Sequence, residues 1–228
     1  MTEQISDMPR SLSEQAYDVI RRDILLGFLM PEEKLRIETV SERYGIGAVP
    51  VREALNRLSA EGLVQRQNQR GFFVAPLEID DLEELVKTRI QLETLALRES
   101  IACGGEDWEE DLVLAFHRLA RTSRLLPPEA AHEKSEEWDI RHNEFHRLLI
   151  SRCGSRWLQG FCATMMDQAV RYRNISMNIN ASPARREGAP AEHQAILDAV
   201  LARDADLACT LLADHYNGTL AALRAPEN

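Results

Sequence analysis

The chain has 228 residues, 44% of them hydrophobic and 28% charged, with a formal net charge of −10. That balance describes one large or two small folded domains, and no apolar run approaches the ~18 residues that a bilayer-spanning helix requires. The opening MTEQISDMPR lacks the apolar core of a secretory signal, and Cys103, Cys153, Cys162 and Cys209 form no C-x-x-C pair, so the expectation is a cytoplasmic protein with buried free thiols.

The acid is unevenly spread. Residues 1–76 hold 10 Lys+Arg against 11 Asp+Glu, whereas residues 77–228 hold 17 against 26. Between Arg36 and Arg70 there are six arginines and four glutamates. A local cationic excess inside an acidic protein is compatible with duplex DNA, with a moderate salt dependence because few phosphates are neutralised.

In chain order, Leu12–Leu29 places Ala16, Val19, Ile20, Ile24 and Leu25 at helical spacing. Ile37–Tyr44 is a second, short helical stretch. The turn Gly45-Ile46-Gly47 leads into a third, Ala48–Leu63, with Val51, Leu55, Leu58 and Leu63 on one face and Gly62 as its stop signal. Helix, glycine turn and helix make a helix-turn-helix. Leu63–Gln67 and Phe72–Ala75 then read as short strands joined by the polar turn Asn68–Gly71, a two-stranded wing.

In such a unit the third helix enters a major groove. Arg52, one turn in, has the reach to pair with guanine O6/N7 or to clamp a phosphate. The helix start at Gly47, Ala48 and Val49 presents backbone N–H groups to a phosphate. Asn68, Gln69 and Arg70 form the wing tip. Left open is whether Arg52 instead pairs with Glu53 or Asn56 as an ordinary surface arginine.

Pro76–Ile79 marks a boundary, giving domains 1–76 and 77–228. Beyond it the pattern is helical: Ile79–Cys103, Asp107–Leu126 ended by Pro127-Pro128, Ser135–Cys153, Arg156–Ile179, a loop over 180–190, Ala191–Ala202, and a last helix capped by Asp204 or Asp206 that runs to about Leu223. Helices with short connections imply an antiparallel bundle. Within it, His142 and His146 stand i, i+4 on one helix face, with Asp139 one turn earlier; His193 and His215 lie on later helices. Four imidazoles from three helices make a plausible cation cage, although six histidines in a chain of this length also produce such spacing by chance.

The residues PEEKL, VPVREALNRLSAEGLV and RGFFV resemble the winged helix-turn-helix of GntR-family transcriptional regulators over roughly Ser13–Pro76. TRIQLETLAL, FHRLLI, EHQAILDAV and ADHYN resemble the FCD ligand-binding domain of the FadR-type branch. The resemblance implies a mainly α protein: three helices plus a β-hairpin wing, then an all-α bundle of six or seven helices. It implies a metal held by one Asp and three His, the histidines matching His146, His193 and His215. The Asp position is occupied here by His142, with Asp139 as a substitute or outer support. A second departure is Gly47-Ala48, where the family carries Ser-Arg or Thr-Arg, so base reading is expected to shift to Arg52 and the wing.

The resulting expectation is a homodimeric, metabolite-responsive repressor on an inverted-repeat operator. Imidazole ligands suit Zn2+ or Ni2+, a small organic acid is the expected effector, and Arg89 is its expected partner, with Arg171 and Arg173 as weaker ones. Two alternatives are weighed against it. One is a purely structural metal site. The other is a metal-dependent hydrolase using Glu144, which sits about 200° around the helix from His142 and so suits a general base poorly.

Overall fold

The structure, a computed structural model, describes residues 10–123, 131–180 and 183–224. The chain divides into two compact units, Met1–Leu77 and Glu78–Asn228.

In the first unit α1 (Leu12–Leu26) opens with a capping box. The Ser11 hydroxyl accepts from the Glu14 N–H, and the Glu14 carboxylate accepts from the Ser11 N–H. It stops at Gly27, whose φ of 79° only glycine adopts easily, three residues short of the expected Leu29. There follow β1 (Lys34–Leu35), α2 (Ile37–Tyr44), α3 (Ala48–Ala60), β2 (Val64–Gln67) and β3 (Gly71–Val74). The strands form an antiparallel sheet in the order β1-β3-β2, with Lys34 opposite Phe73 and Gln67 opposite Gly71. The wing thus has a third strand that the two-stranded expectation lacked. A two-residue strand carries no alternation of its own and exists only by pairing with β3.

The core between α1, α3 and the sheet is Ile20, Ile24, Val51, Leu55, Leu58, Leu63 and Val74, each at most 2% exposed. Burying each such side chain contributes about 1.5–3 kcal/mol. Asp23 of α1 is buried and accepts from Tyr44 Oη (2.6 Å) and Arg43 Nη2 (3.1 Å), which pins the end of α2 to α1.

The second unit consists of α4 (Ile79–Cys103), α5 (Glu106–Arg121), α6 (Ala131–Leu149), α7 (Arg156–Asn180), α8 (Pro183–Leu201) and α9 (Ala205–Arg224). α4 packs on α7 and α9, α9 on α8, and α5 on α6 and α8. Several boundaries differ from expectation. α5 ends at Arg121 because Thr122 is extended; the Pro127-Pro128 stop lies outside the described residues. α6 ends at Leu149 rather than Cys153, and the Leu148 carbonyl in its last turn accepts from Trp108 Nε1 at 2.7 Å. Most of the loop expected over 180–190 is helix. Pro183 stands at the first helical position, where its missing N–H costs nothing, and the chain stays helical through Pro190. Asp204 rather than Asp206 caps α9, accepting from the Leu207 N–H at 3.0 Å. Among the described residues no helix is long and apolar enough to cross a membrane.

Gly104 ends α4 beside the buried Trp108, and a Cβ there would overlap the indole ring. The ring cannot turn away without breaking its bond to Leu148. Gly104→Ala is therefore expected to destabilise the protein by about 1–3 kcal/mol, read as a lower urea midpoint with an unchanged slope.

Candidate nucleic-acid interface and candidate metal centre

The exposed side of α3 has two edges with different fates. Along one, Glu53 accepts from the Ser13 hydroxyl, and Arg57 pairs with Glu61 (3.3 Å) while lying 3.7 Å over the Tyr17 ring. Tyr17 Oη in turn donates to Glu61 at 2.7 Å. These contacts tie that edge to α1 and engage the Arg57 guanidinium, although its side chain stays exposed. Along the other edge stand Val49, 69% exposed, then Arg52 and Asn56. Among the described residues Arg52 pairs with neither Glu53 nor Asn56 and has no other hydrogen bond or ion pair; it lines the groove beside the wing.

Arg52 and Asn56 line a groove closed on its far side by the wing. Lys34, Arg36, Arg66, Gln69 and Arg70 line it too, with Glu38 as an acid among them. Lys34 and Arg70 both flank the Phe73 ring, 5.7 and 5.6 Å from its centroid. The wing tip is built by two positive backbone angles, φ 62° at Gln69 and φ 97° at Gly71. Of the residues expected to meet DNA, Arg52, Gln69 and Arg70 line the groove. Gly47, Ala48, Val49 and Asn68 are exposed outside its lining. Gly47 caps α3 without a side-chain acceptor, so the first amides of the helix lack a side-chain cap. Lys34, Arg36 and Arg66 also line the groove and were not among the expected contacts; Asn56 was read only as part of the solvent-facing front of α3. Nothing in the sequence says that β1 and the start of α2 return to face α3.

In the second unit four imidazoles converge. His142 and His146 come from α6, His193 from α8 and His215 from α9; one nitrogen from each lies within 4.8 Å of the others, and all four residues are buried. His146 Nε2 and His193 Nε2 stand 3.2 Å apart. Two nitrogens bound to one ion at about 2.0–2.1 Å are separated by about 3.0–3.4 Å, so this spacing suits ligands of one ion.

The groups behind the rings decide which nitrogen faces inward. His215 Nδ1 lies 2.7 Å from the Glu192 carboxylate, which accepts its proton and leaves Nε2 as a lone pair. His146 Nδ1 lies 3.2 Å from Tyr216 Oη, whose own proton is given to Glu93 at 2.5 Å. The phenol oxygen must then accept from Nδ1, and His146 Nε2 is again unprotonated. Burial, then Arg173 and the other imidazoles, hold His142 well below the usual histidine pKa. Burial, His193, His215 and the two arginines Arg89 and Arg173 do the same to His146. Both are therefore neutral at pH 7, the form that binds a metal.

Arg89 does not present an open guanidinium to the cage. Its Nε donates to Glu93 at 2.7 Å, and the group lies 4.1 Å over the Tyr216 ring. It thus heads a relay, Arg89–Glu93–Tyr216–His146. Asp139 lies outside the four-histidine group. Its carboxylate accepts from Arg173 Nη2 (2.6 Å) and Asn174 Nδ2 (2.7 Å), and Arg173 Nη1 lies 3.2 Å from His142 Nδ1. Arg171 is buried and donates to Gln168 at 3.1 Å. Glu144 is taken up by Arg141 (3.2 Å) and Arg118 (3.6 Å), which turns it from the cage. Glu93, Glu192, Tyr216, Arg173 and Asn174 were not singled out as support for the cage: Glu192, Tyr216 and Arg173 each reach a histidine from a different helix, and Glu93 and Asn174 act one contact further out, on Tyr216 and Asp139.

Residues 12–74 match the model of bacterial regulatory proteins of the gntR family, and residues 84–218 match the FCD domain. The chain is 39% identical over 215 residues to the uncharacterized HTH-type transcriptional regulator BphR of Paraburkholderia xenovorans, covering 94% of this chain and 86% of that protein. It is 36% identical over 204 residues to the HTH-type transcriptional repressor GlaR of Escherichia coli, covering 89% and 91%. Among solved structures, that of Escherichia coli McbR/YncC superposes with a TM-score of 0.77 at 19% identity, covering 94% of this chain and 97% of that one, a likeness of fold. The matched family and the two sequence relatives are transcriptional regulators, not enzymes. The chain belongs to the GntR family of bacterial regulatory proteins, as a DNA-binding transcriptional regulator that carries an FCD domain.

Proposed function

We propose that this regulator is a cytoplasmic homodimeric repressor that releases an inverted-repeat operator when a small organic acid enters its FCD domain and meets a divalent metal ion. The observation that carries the sensing half is the convergence of His142, His146, His193 and His215, with outer partners that turn two of them lone pair inward. The donor set is neutral imidazole, which suits Zn2+ or Ni2+. When bound, the ion supplies a Lewis-acidic centre for a carboxylate. The chain's own residues hold the rings neutral, exclude water and orient each nitrogen. Arg89 remains our proposed contact for the acid. A carboxylate that pairs with it competes with Glu93 and so perturbs Tyr216 and His146, giving the acid differential contacts in two bundle states.

On the DNA side, Arg52, which has no ion-pair partner among the described residues, together with Asn56 on the next turn and the cations of the wing, supports base reading in a major groove. Gly47, Ala48, Val49 and Asn68 are proposed to contact the backbone or base edges at the margins of the groove. A purely structural role for the metal is the rival, and it requires that acid leave DNA affinity unchanged. Selection of bound duplexes from a random library tests the DNA half. The expected product is a pseudo-palindrome bound by two chains; enrichment of single half-sites bound by one chain would overturn the dimeric model.

A further inference from the structure

Of the four imidazoles, His142 is the one whose ring nitrogen stands against a guanidinium among the described residues. Arg173 Nη1 lies 3.2 Å from His142 Nδ1. A guanidinium only donates, so the ring nitrogen it faces must be the lone pair and the other must carry the proton. In that state the protonated nitrogen cannot bind a metal, and the unprotonated one is already taken by Arg173. A metal and Arg173 therefore compete for His142 whichever nitrogen turns to the cage. His146 and His215 differ, because their outer partners, Tyr216 Oη and Glu192, accept rather than donate.

Arg173 is held in this role by its surroundings. Asp139 and Asn174 fix its far side, the shared Asp139 carboxylate accepting from both. Its guanidinium lies 5.3 Å over the Trp138 ring, on which His142 also stacks at 4.6 Å. A third donor of the same group, Nε, is buried without a hydrogen-bond partner.

Resting on the metal reading above, we propose that His142 is a conditional ligand: His146, His193 and His215 hold the ion, and His142 joins them only when Arg173 lets go. An anion drawn to the released guanidinium, a carboxylate by its chemistry, then favours the four-imidazole state.

The test is Co2+ binding to the full-length protein, read by chelator competition and by the visible absorption of the bound ion. His142→Ala is expected to change the affinity by less than about threefold in the wild-type background. Arg173→Met is expected to tighten binding about tenfold or more, the scale on which outer partners act. Its gain should vanish when His142→Ala is added, and its spectrum should intensify as a fourth imidazole replaces solvent. Because Arg173→Met leaves Asp139 with Asn174 alone, the paired Asp139→Asn/Arg173→Met variant gives the same comparison with the ion pair removed together. Equal losses from His142→Ala and His146→Ala in the wild-type background, or no tightening in either Arg173 variant, would overturn the proposal while leaving the metal site standing. Absence of saturable Co2+ binding by the wild type would overturn both.

Discussion

Arg52→Ala is expected to weaken operator binding by about 1–3 kcal/mol, roughly 5- to 150-fold, with no loss of thermal stability. The residue is exposed and has no hydrogen bond or ion pair among the described residues. It stands beside Asn56 in a groove lined by Lys34, Arg36, Arg66 and Arg70. If it reads guanine, the loss is concentrated at one base pair of each half-site, and that pair becomes interchangeable. If it clamps a phosphate, the loss is uniform across sequences and the salt slope falls by about one. Arg57→Ala is the internal contrast. Five residues further along the same helix, on its other edge, Arg57 is committed to Glu61 and Tyr17, so its loss should lower stability slightly and leave the operator affinity nearly intact. Fluorescence anisotropy on a labelled selected duplex, repeated at several salt concentrations, separates these outcomes. An unchanged affinity for Arg52→Ala would remove the third helix from the reading role.

The second large effect concerns the cage. His193→Ala is expected to drop the divalent metal content of purified protein from about one ion per chain to near zero, a loss of affinity exceeding the 10- to 100-fold that outer partners typically cost. His193 is the one imidazole supplied by α8, and its Nε2 faces His146 Nε2 directly. Since the ion binds the folded cage alone, its removal should cost the wild type about 4 kcal/mol at a thousandfold excess over Kd. For a protein of this size that corresponds to a fall in Tm of about 10 °C. A chelator should therefore lower the wild-type Tm and leave His193→Ala unmoved. Equal responses in the two proteins would mean that the four rings are packed histidines and nothing more.

The parts of this architecture legible in sequence are those with a local period. Val51, Leu55 and Leu58 declare α3, the glycines at 45 and 47 declare the turn, and His142 and His146 declare a shared face because four residues make one helical turn. What was illegible depends on chain segments meeting from afar. β1 is two residues long and exists only because β3 offers it a partner. The helix over 183–190 was hidden by its prolines, one of which sits harmlessly at the first position. The reason that Tyr216 and Glu93 matter to His146 cannot be read from a chain in which Glu93 and Tyr216 are 123 positions apart. Arg89 shows the opposite error. Its place on α4 was anticipated, but its pairing with Glu93, four residues on, was not, although that spacing alone permits it.

In the proposed function, occupancy of the imidazole cage governs the grip of the groove on DNA. Operator affinity should be measured for wild-type protein and for His193→Ala, each with and without Zn2+ and with a carboxylate series titrated in. An acid is expected to weaken binding at least tenfold for the metal-loaded wild type, and not for the stripped protein or the variant. An identical affinity under all of these conditions would contradict the proposed function.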